Sequence, residues 1–239
     1  MKQVKLYPKI AFDFFFEQFK WSAWFYSFLL LAHIIGIFLV NQNGENLDGF
    51  FIFSSYATAI FMLVCGIMAA FGFMSYSVQQ GISRKDMHLG IVIGAFGLAV
   101  AVTLIPLLLN GIEHLIAGSM SLPIDTDDIA AYPISTGWFS AVVIYLLNVF
   151  TYYLIGWFIG IGYYRFNWLI GLGFVVISMA AFTINGFFWG DNGLNAIIPW
   201  IPNISSDAGP IAAIAGSVVL IAVLLISTRL LTKRIPIKL

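Results

Sequence analysis

Residues 77–109, SVQQGISRKDMHLGIVIGAFGLAVAVTLIPLLL, change character at Leu89. Up to His88 the stretch gathers Gln79, Gln80, Ser83, Arg84, Lys85 and Asp86, whereas from Leu89 to Leu109 it carries no charged side chain. Wound as an α-helix, the second part is long enough to cross the roughly 30 Å hydrocarbon core of a bilayer. Similar apolar runs lie near 22–40, 50–74, 138–162, 166–188 and 210–228, so the sequence predicts six spans within one transmembrane domain over 1–239. Composition agrees, because 61% of the 239 residues are hydrophobic and only 9% are charged, too few charges to cover a soluble domain. The predicted fold class is all-α, a polytopic membrane protein.

Charge placement tests the number of spans independently, because short loops rich in Lys and Arg are retained on the cytoplasmic side. With the N-terminus inside, the inner segments hold Lys2, Lys5, Lys9, Lys20, Arg84, Lys85, Arg165, Arg229, Lys233, Arg234 and Lys238, which are all 11 basic residues. The outer loops hold Glu45, Asp48, Glu113, Asp125, Asp127, Asp128, Asp191 and Asp207, and only Asp13, Glu17 and Asp86 stay inside. One miscounted span would mix the two sets in every later loop. The expected placement is therefore multi-pass in the plasma membrane with both termini cytoplasmic, the first span being retained because no small-residue cleavage site follows it.

Ahead of the first span, Lys9-Ile-Ala-Phe-Asp-Phe-Phe-Phe-Glu-Gln-Phe-Lys20 follows Pro8, a residue that suits a helix start. At about 100° per residue, Lys9, Asp13, Glu17 and Lys20 share one narrow stripe, while Ile10, Phe12, Phe15, Phe16 and Phe19 occupy the rest. This pattern predicts an interfacial helix over 9–20 lying flat at the inner face, the alternative being a plain extension of the first span. Among the outer loops, 41–49 reads as a short hairpin, and 110–137 as a long acidic loop with a short helix around 112–119. Residues 186–202 read as an irregular segment, either partly re-entrant or anchored at the interface by Trp189 and Trp200.

Within the spans His33 is the one ionisable Asp, Glu, Lys, Arg or His, and it reads as a hydrogen-bonded packing residue rather than a proton relay. Asn148, Thr151, Thr103 and Ser178 read as residues that join helices. The single cysteine, Cys65, reads as a small packing residue, and His33, His88 and His114 are spread too far along the topology for one metal site. Gly90 with Gly94 and Gly97, and Gly156 with Gly160, supply spacings that let helices approach closely, without saying which helices meet. The sequence holds no G-x-x-x-x-G-K-[ST] phosphate loop, no G-x-S-x-G and no H-E-x-x-H. The expectation is a chain that is not an enzyme and binds no cofactor or nucleic acid.

Ser83-Arg-Lys-Asp86 fits the [ST]-x-x-[DE] capping pattern ahead of an apolar run, so Ser83 should start the third helix and Gly81 should end the segment before it. A flat N-terminal helix, six spans, cytoplasmic ends, a polar inner loop after span two and an irregular outer segment before span six together resemble the type-2 ABC exporter permeases. Forms from Gram-positive bacteria carry a phrase similar to Gly81-Ile-Ser-Arg-Lys-Asp86 followed by an apolar residue and a glycine, here Leu89-Gly90. Gly160-Ile-Gly-Tyr-Tyr-Arg-Phe-Asn167 looks like the family's second inner turn, and Met87 and His88 stand where aromatic residues are expected.

The resemblance implies a coupling helix over about 76–86, in which Gln79, Gln80, Gly81, Ile82, Ser83, Arg84, Lys85 and Asp86 dock on a separate ABC ATP-binding subunit, present in two copies. ATP and magnesium would be held by that partner. It also implies a second permease chain, as homodimer or heterodimer, and an amphipathic cargo such as a bacteriocin or cytolytic peptide. Two other readings stay open at this stage. One is the substrate-binding membrane subunit of a vitamin importer, for which a concentrated polar pocket would be needed, and the other is a sensor or scaffold without transport.

Overall fold

The computed structural model describes residues 6–43, 46–73, 81–120, 123–125, 137–189 and 209–233. Among the described residues six helices are long and apolar enough to cross a membrane, the architecture of an all-helical, multi-pass membrane protein. They are α1 (Tyr7–Asn43), α2 (Phe50–Met68, continued by a π-helical turn Ala69–Phe73), α3 (Arg84–Met120), α4 (Trp138–Arg165), α5 (Trp168–Trp189) and α6 (Pro210–Thr232). Each expected span lies on one of them to within two residues at its ends. Of the irregular outer segment expected over 186–202, residues 186–189 form the last turn of α5, with Trp189 fully buried, and the rest lies outside the described residues.

Two expectations are corrected. The interfacial helix over 9–20 and the first span are one continuous helix, α1. The reason is local and tertiary at once: no Gly or Pro interrupts the chain between Pro8 and Gly36, and Ala11, Phe14 and Phe15 lie in a groove of small residues on α3. The second correction concerns residues 110–120: the helix expected around 112–119 is present, but as the last turns of α3 rather than as a separate element within a loop. Asn110-Gly111 has the composition of a turn, yet Asn110 spends its side chain on a neighbouring helix, and a side chain at Gly111 would meet nothing.

Contacts fix the directions of the helices. Along α1 and α3, Ile10 meets Gly90, Phe14 meets Gly94, Tyr26 reaches Val102 and His33 reaches Glu113, so the two run parallel. Along α2 and α4, the Phe51 ring lies 4.7 Å from that of Tyr145 and Ile67 lies at Gly160, so these also run parallel to each other. Both 37-residue helices, α1 and α3, lead into a two-residue strand, β1 (Leu47–Asp48) and β2 (Ile124–Asp125). The strands pair in parallel, Leu47 opposite Ile124, as they must when the helices feeding them leave the same end side by side. The described basic residues of α3, α4 and α6 gather at one end and Asp48, Glu113 and Asp125 at the other, here called the basic and acidic ends.

Helix α4 is the axis of the bundle, with Tyr145, Tyr153 and Trp157 fully buried among α2, α3, α5 and α6. In lipid there is little hydrophobic drive between helices, and close backbone approach through small residues replaces it. A Cβ on Gly66 would fall on the Tyr153 carbonyl oxygen, and one on Gly156 would fall on the Leu63 carbonyl oxygen, so α2 and α4 touch backbone to backbone from both sides. Gly160 continues that seam against Ile67 and Ala70. Thr103 and Thr151, expected to join helices, instead donate to the Ala99 and Leu147 carbonyls of their own helices (2.8 and 2.7 Å), the local solution open to a hydroxyl in a helix. Cys65 is buried as a packing residue, and its carbonyl accepts a bond from Gln18 Nε2 (3.1 Å).

Pro106 lies inside α3 and supplies no N–H to the carbonyl four residues earlier, that of Val102. The Tyr26 hydroxyl donates to that carbonyl at 2.7 Å and stands 3.0 Å from Thr58 Oγ1, so one phenol closes the gap and ties α1, α2 and α3 together. Tyr26→Phe is expected to destabilise the protein by about 1–3 kcal/mol, the cost of a buried acceptor left without a donor. In a Pro106→Ala background, where the helix regains its own N–H, the cost should fall to about 1 kcal/mol or less. A double-mutant cycle by equilibrium unfolding in mixed micelles measures the difference, and equal costs in both backgrounds would remove this role for Tyr26. On the α2–α4 seam, Gly156→Leu should cost at least about 1–3 kcal/mol through overpacking. Gly173→Leu, at a position where a side chain meets nothing, should leave the same unfolding midpoint within error.

Candidate functional site at the basic end

The segment before α3 begins with Gly81 in the left-handed region, φ +72°, with open space around it. Glycine occupies that backbone conformation without the steric cost other residues meet. Ser83 then caps α3 as its sequence predicts: the Asp86 N–H donates to Ser83 Oγ (3.1 Å), and the Ser83 hydroxyl donates to the Asp86 carboxylate (2.8 Å). The capped turn is thus rigidly joined to a helix that runs the whole depth of the bundle.

Arginines tie this turn to the ends of other helices. The last carbonyls of a helix have no intrahelical partner and carry its negative dipole end, and at α6 guanidinium groups supply the missing donors. Arg84 Nη1 donates to the Lys233 carbonyl (2.9 Å), and Arg165, from the last turn of α4, donates to the Leu231 carbonyl (2.8 Å). In return Arg229 Nη1 donates to the Arg84 carbonyl (2.9 Å). Met87 and His88, the two departures from the expected aromatic residues, are both buried. The His88 ring lies 5.1 Å from that of Trp157, and its Nε2 is 3.4 Å from Thr228 Oγ1, so the position joins α3 to α4 and α6.

The expected coupling residues therefore divide. Gly81, Ser83 and Lys85 are exposed, whereas Ile82 is half-buried against the protein's own core and Arg84 and Asp86 are engaged within the chain. Gln79 and Gln80 lie outside the described residues. The turn between α4 and α5 narrows to Phe166–Asn167, with the Phe166 N–H donating to the Gly162 carbonyl (3.1 Å) and the Gly171 N–H to the Asn167 carbonyl (2.9 Å).

The residues of the expected interfacial helix form the first turns of α1. Lys9, Phe12, Asp13, Phe16 and Lys20 are exposed, Glu17 is half-buried and paired with Lys20 (3.0 Å), and the Phe15 and Phe19 rings stack and pack inward. Lys20 also lies over the Phe16 ring, 5.1 Å from its centre. The stripe of charge is real, and it faces away from α3.

A polar cluster at the acidic end was not legible in the sequence. Buried His33 of α1 brings Nε2 to 2.9 Å from Glu113 Oε1 of α3. The other Glu113 oxygen accepts the Phe50 N–H (2.8 Å), and Asn110 Oδ1 accepts the Phe51 N–H (3.3 Å). The first amides of α2, which has no side-chain cap of its own, are satisfied by α3. The signal available was the spacing of Asn110 and Glu113, three apart and so on one helix face, but only if the helix is continued through Gly111. Glu113→Ala should lower stability by about 1–3 kcal/mol because it strands a buried donor, and Glu113→Gln, which keeps an acceptor, should lose less. Unfolding midpoints of the two variants in micelles check this ordering.

No protein-family model matches the chain, and neither a curated protein nor a solved structure does.

Proposed function

We propose that this chain is the permease subunit of an ATP-driven exporter of the type-2 ABC class, in which a separate ATP-binding subunit docks on the turn that precedes α3. The observation that carries the reading is mechanical. A turn locked by Gly81 and by the Ser83–Asp86 cap begins a 37-residue helix that reaches, through Glu113, the first amides of α2 at the other end. A push on such a turn moves a rigid element across the whole bilayer. The positive-inside distribution of Lys and Arg supports placing the turn in the cytoplasm, where ATP is available.

In this reading the chain binds lipid along its apolar exterior, pairs with a second permease chain, and moves an amphipathic or apolar cargo, a peptide of the bacteriocin or cytolytic kind, out of the cell or its membrane. Exposed apolar faces on α5 and α6, including Val176, Ile177, Val218, Val219 and Val223, give a bilayer or a second permease surface to pack against. ATP and magnesium belong to the partner, which supplies the chemistry. The host of such a subunit is a Gram-positive bacterium, and the chain lies in its plasma membrane with both ends inside.

The test is co-purification of an ATP-binding subunit from the same host, normalised to inserted permease. Gly81→Pro, which cannot adopt φ +72°, and Ile82→Asp should lose the partner by tenfold or more, while Asp127→Asn in the outer loop retains it. Because Ile82 also packs on this chain's own core, Ile82→Ala is included to separate docking from folding. Full retention of the subunit by Gly81→Pro would sink the assignment.

A further inference from the structure

Between the first turns of α3 and the last turns of α6 lies an open cleft of about 330 Å³. Its lining is mostly aliphatic, from Leu89, Leu225, Ile226 and Leu230, with Lys85, His88 and Arg229 as its basic members and no carboxylate among the lining residues. Lys85 makes no ion pair or hydrogen bond among the described residues, and Arg229 commits one Nη1 to the Arg84 carbonyl, leaving the rest of its planar fork of donors. Leu89, Ile226 and Leu230 are 38, 60 and 65% exposed, on helices that cross the membrane, so the aliphatic lining opens toward lipid. Uncompensated cations beside an aliphatic slot at the edge of the hydrocarbon match a molecule with an anionic head and an aliphatic tail.

We propose that this cleft is a binding site for an anionic phospholipid of the leaflet that meets the basic end. Its phosphate sits between the Lys85 ammonium and the Arg229 guanidinium, and one acyl chain lies along Leu89, Leu225, Ile226 and Leu230. A bound lipid bridges the first turn of α3 and the last turns of α6, the two elements that Arg84 and Arg229 already tie together. The site is independent of the transport reading, since it needs only the local charges and the bilayer.

The experiment is native mass spectrometry of the full-length protein with phosphatidylglycerol or phosphatidylcholine of identical chains. Wild-type protein should prefer phosphatidylglycerol by roughly 25-fold, about fivefold for each of the two cations. Lys85→Gln, an exposed side chain with no partner to lose, should reduce that preference about fivefold. Lys9→Gln, another exposed cation outside the cleft, should leave it unchanged. Arg229→Gln should reduce it further, but it also breaks the bond to Arg84, so Lys85→Gln carries the conclusion. Equal binding of the two lipids would show an apolar slot alone and overturn the proposal. So would equal losses in Lys85→Gln and Lys9→Gln, which would indicate general attraction to the surface. Displacement of the lipid by millimolar inorganic phosphate would mean that the site reads the anion without the chain, and would overturn it as well.

Discussion

Inside a hydrocarbon solvent no backbone group can borrow a partner from water, so each amide and carbonyl must be satisfied by the protein. The helices meet most of this demand themselves, and the structure is organised around the places where they fail. Pro106 leaves the Val102 carbonyl without its N–H, and Tyr26 of α1 provides the donor. The first amides of α2 have no cap of their own, and Glu113 and Asn110 of α3 accept from them. The last carbonyls of α6 receive Arg84 from α3 and Arg165 from α4. Each repair comes from a different helix, so satisfying the backbone also specifies which helices are neighbours.

Packing follows a complementary rule. Where lipid offers side chains nearly the same apolar contact as another helix, association depends on fit, and the closest fit here is the reciprocal seam of Gly66 and Gly156 between α2 and α4. A second seam seats the first turns of α1 on Gly90, Gly94 and Gly97 of α3. The two seams give two parallel pairs, and the short parallel strands at the acidic end follow from that geometry.

These constraints bear on how motion could cross the bundle. Helix α3 is capped by its own Ser83 at one end and caps α2 through its own side chains at the other, so it is joined rigidly at both. The basic end adds a second linkage, because arginines of α3, α4 and α6 donate to end-turn carbonyls of α6 and α3. Force applied at the turn near Gly81 would therefore reach both the acidic end and α6.

Much of this architecture is determined by local sequence. The six apolar runs, the separation of Lys and Arg from Asp and Glu, and the Ser83–Asp86 cap each depend on residues close together in the chain, where transfer energies and capping geometry act on a few neighbours at a time. The glycines at 90, 94, 156 and 160 announced close approach for the same reason, but their partners did not follow, because a small residue is complementary to any helix that fits. Tertiary structure decided the rest. The stripe of charge over 9–20 suits a flat helix or the start of a span equally well, and only the α3 groove selects the unbroken α1. Asn110-Gly111 suits a loop until α2 presents unsatisfied amides to it, and His33 appears isolated until the extended α3 delivers Glu113 to within 2.9 Å. In each case the deciding energy belongs to a group some 60 to 80 positions away, which no local pattern contains.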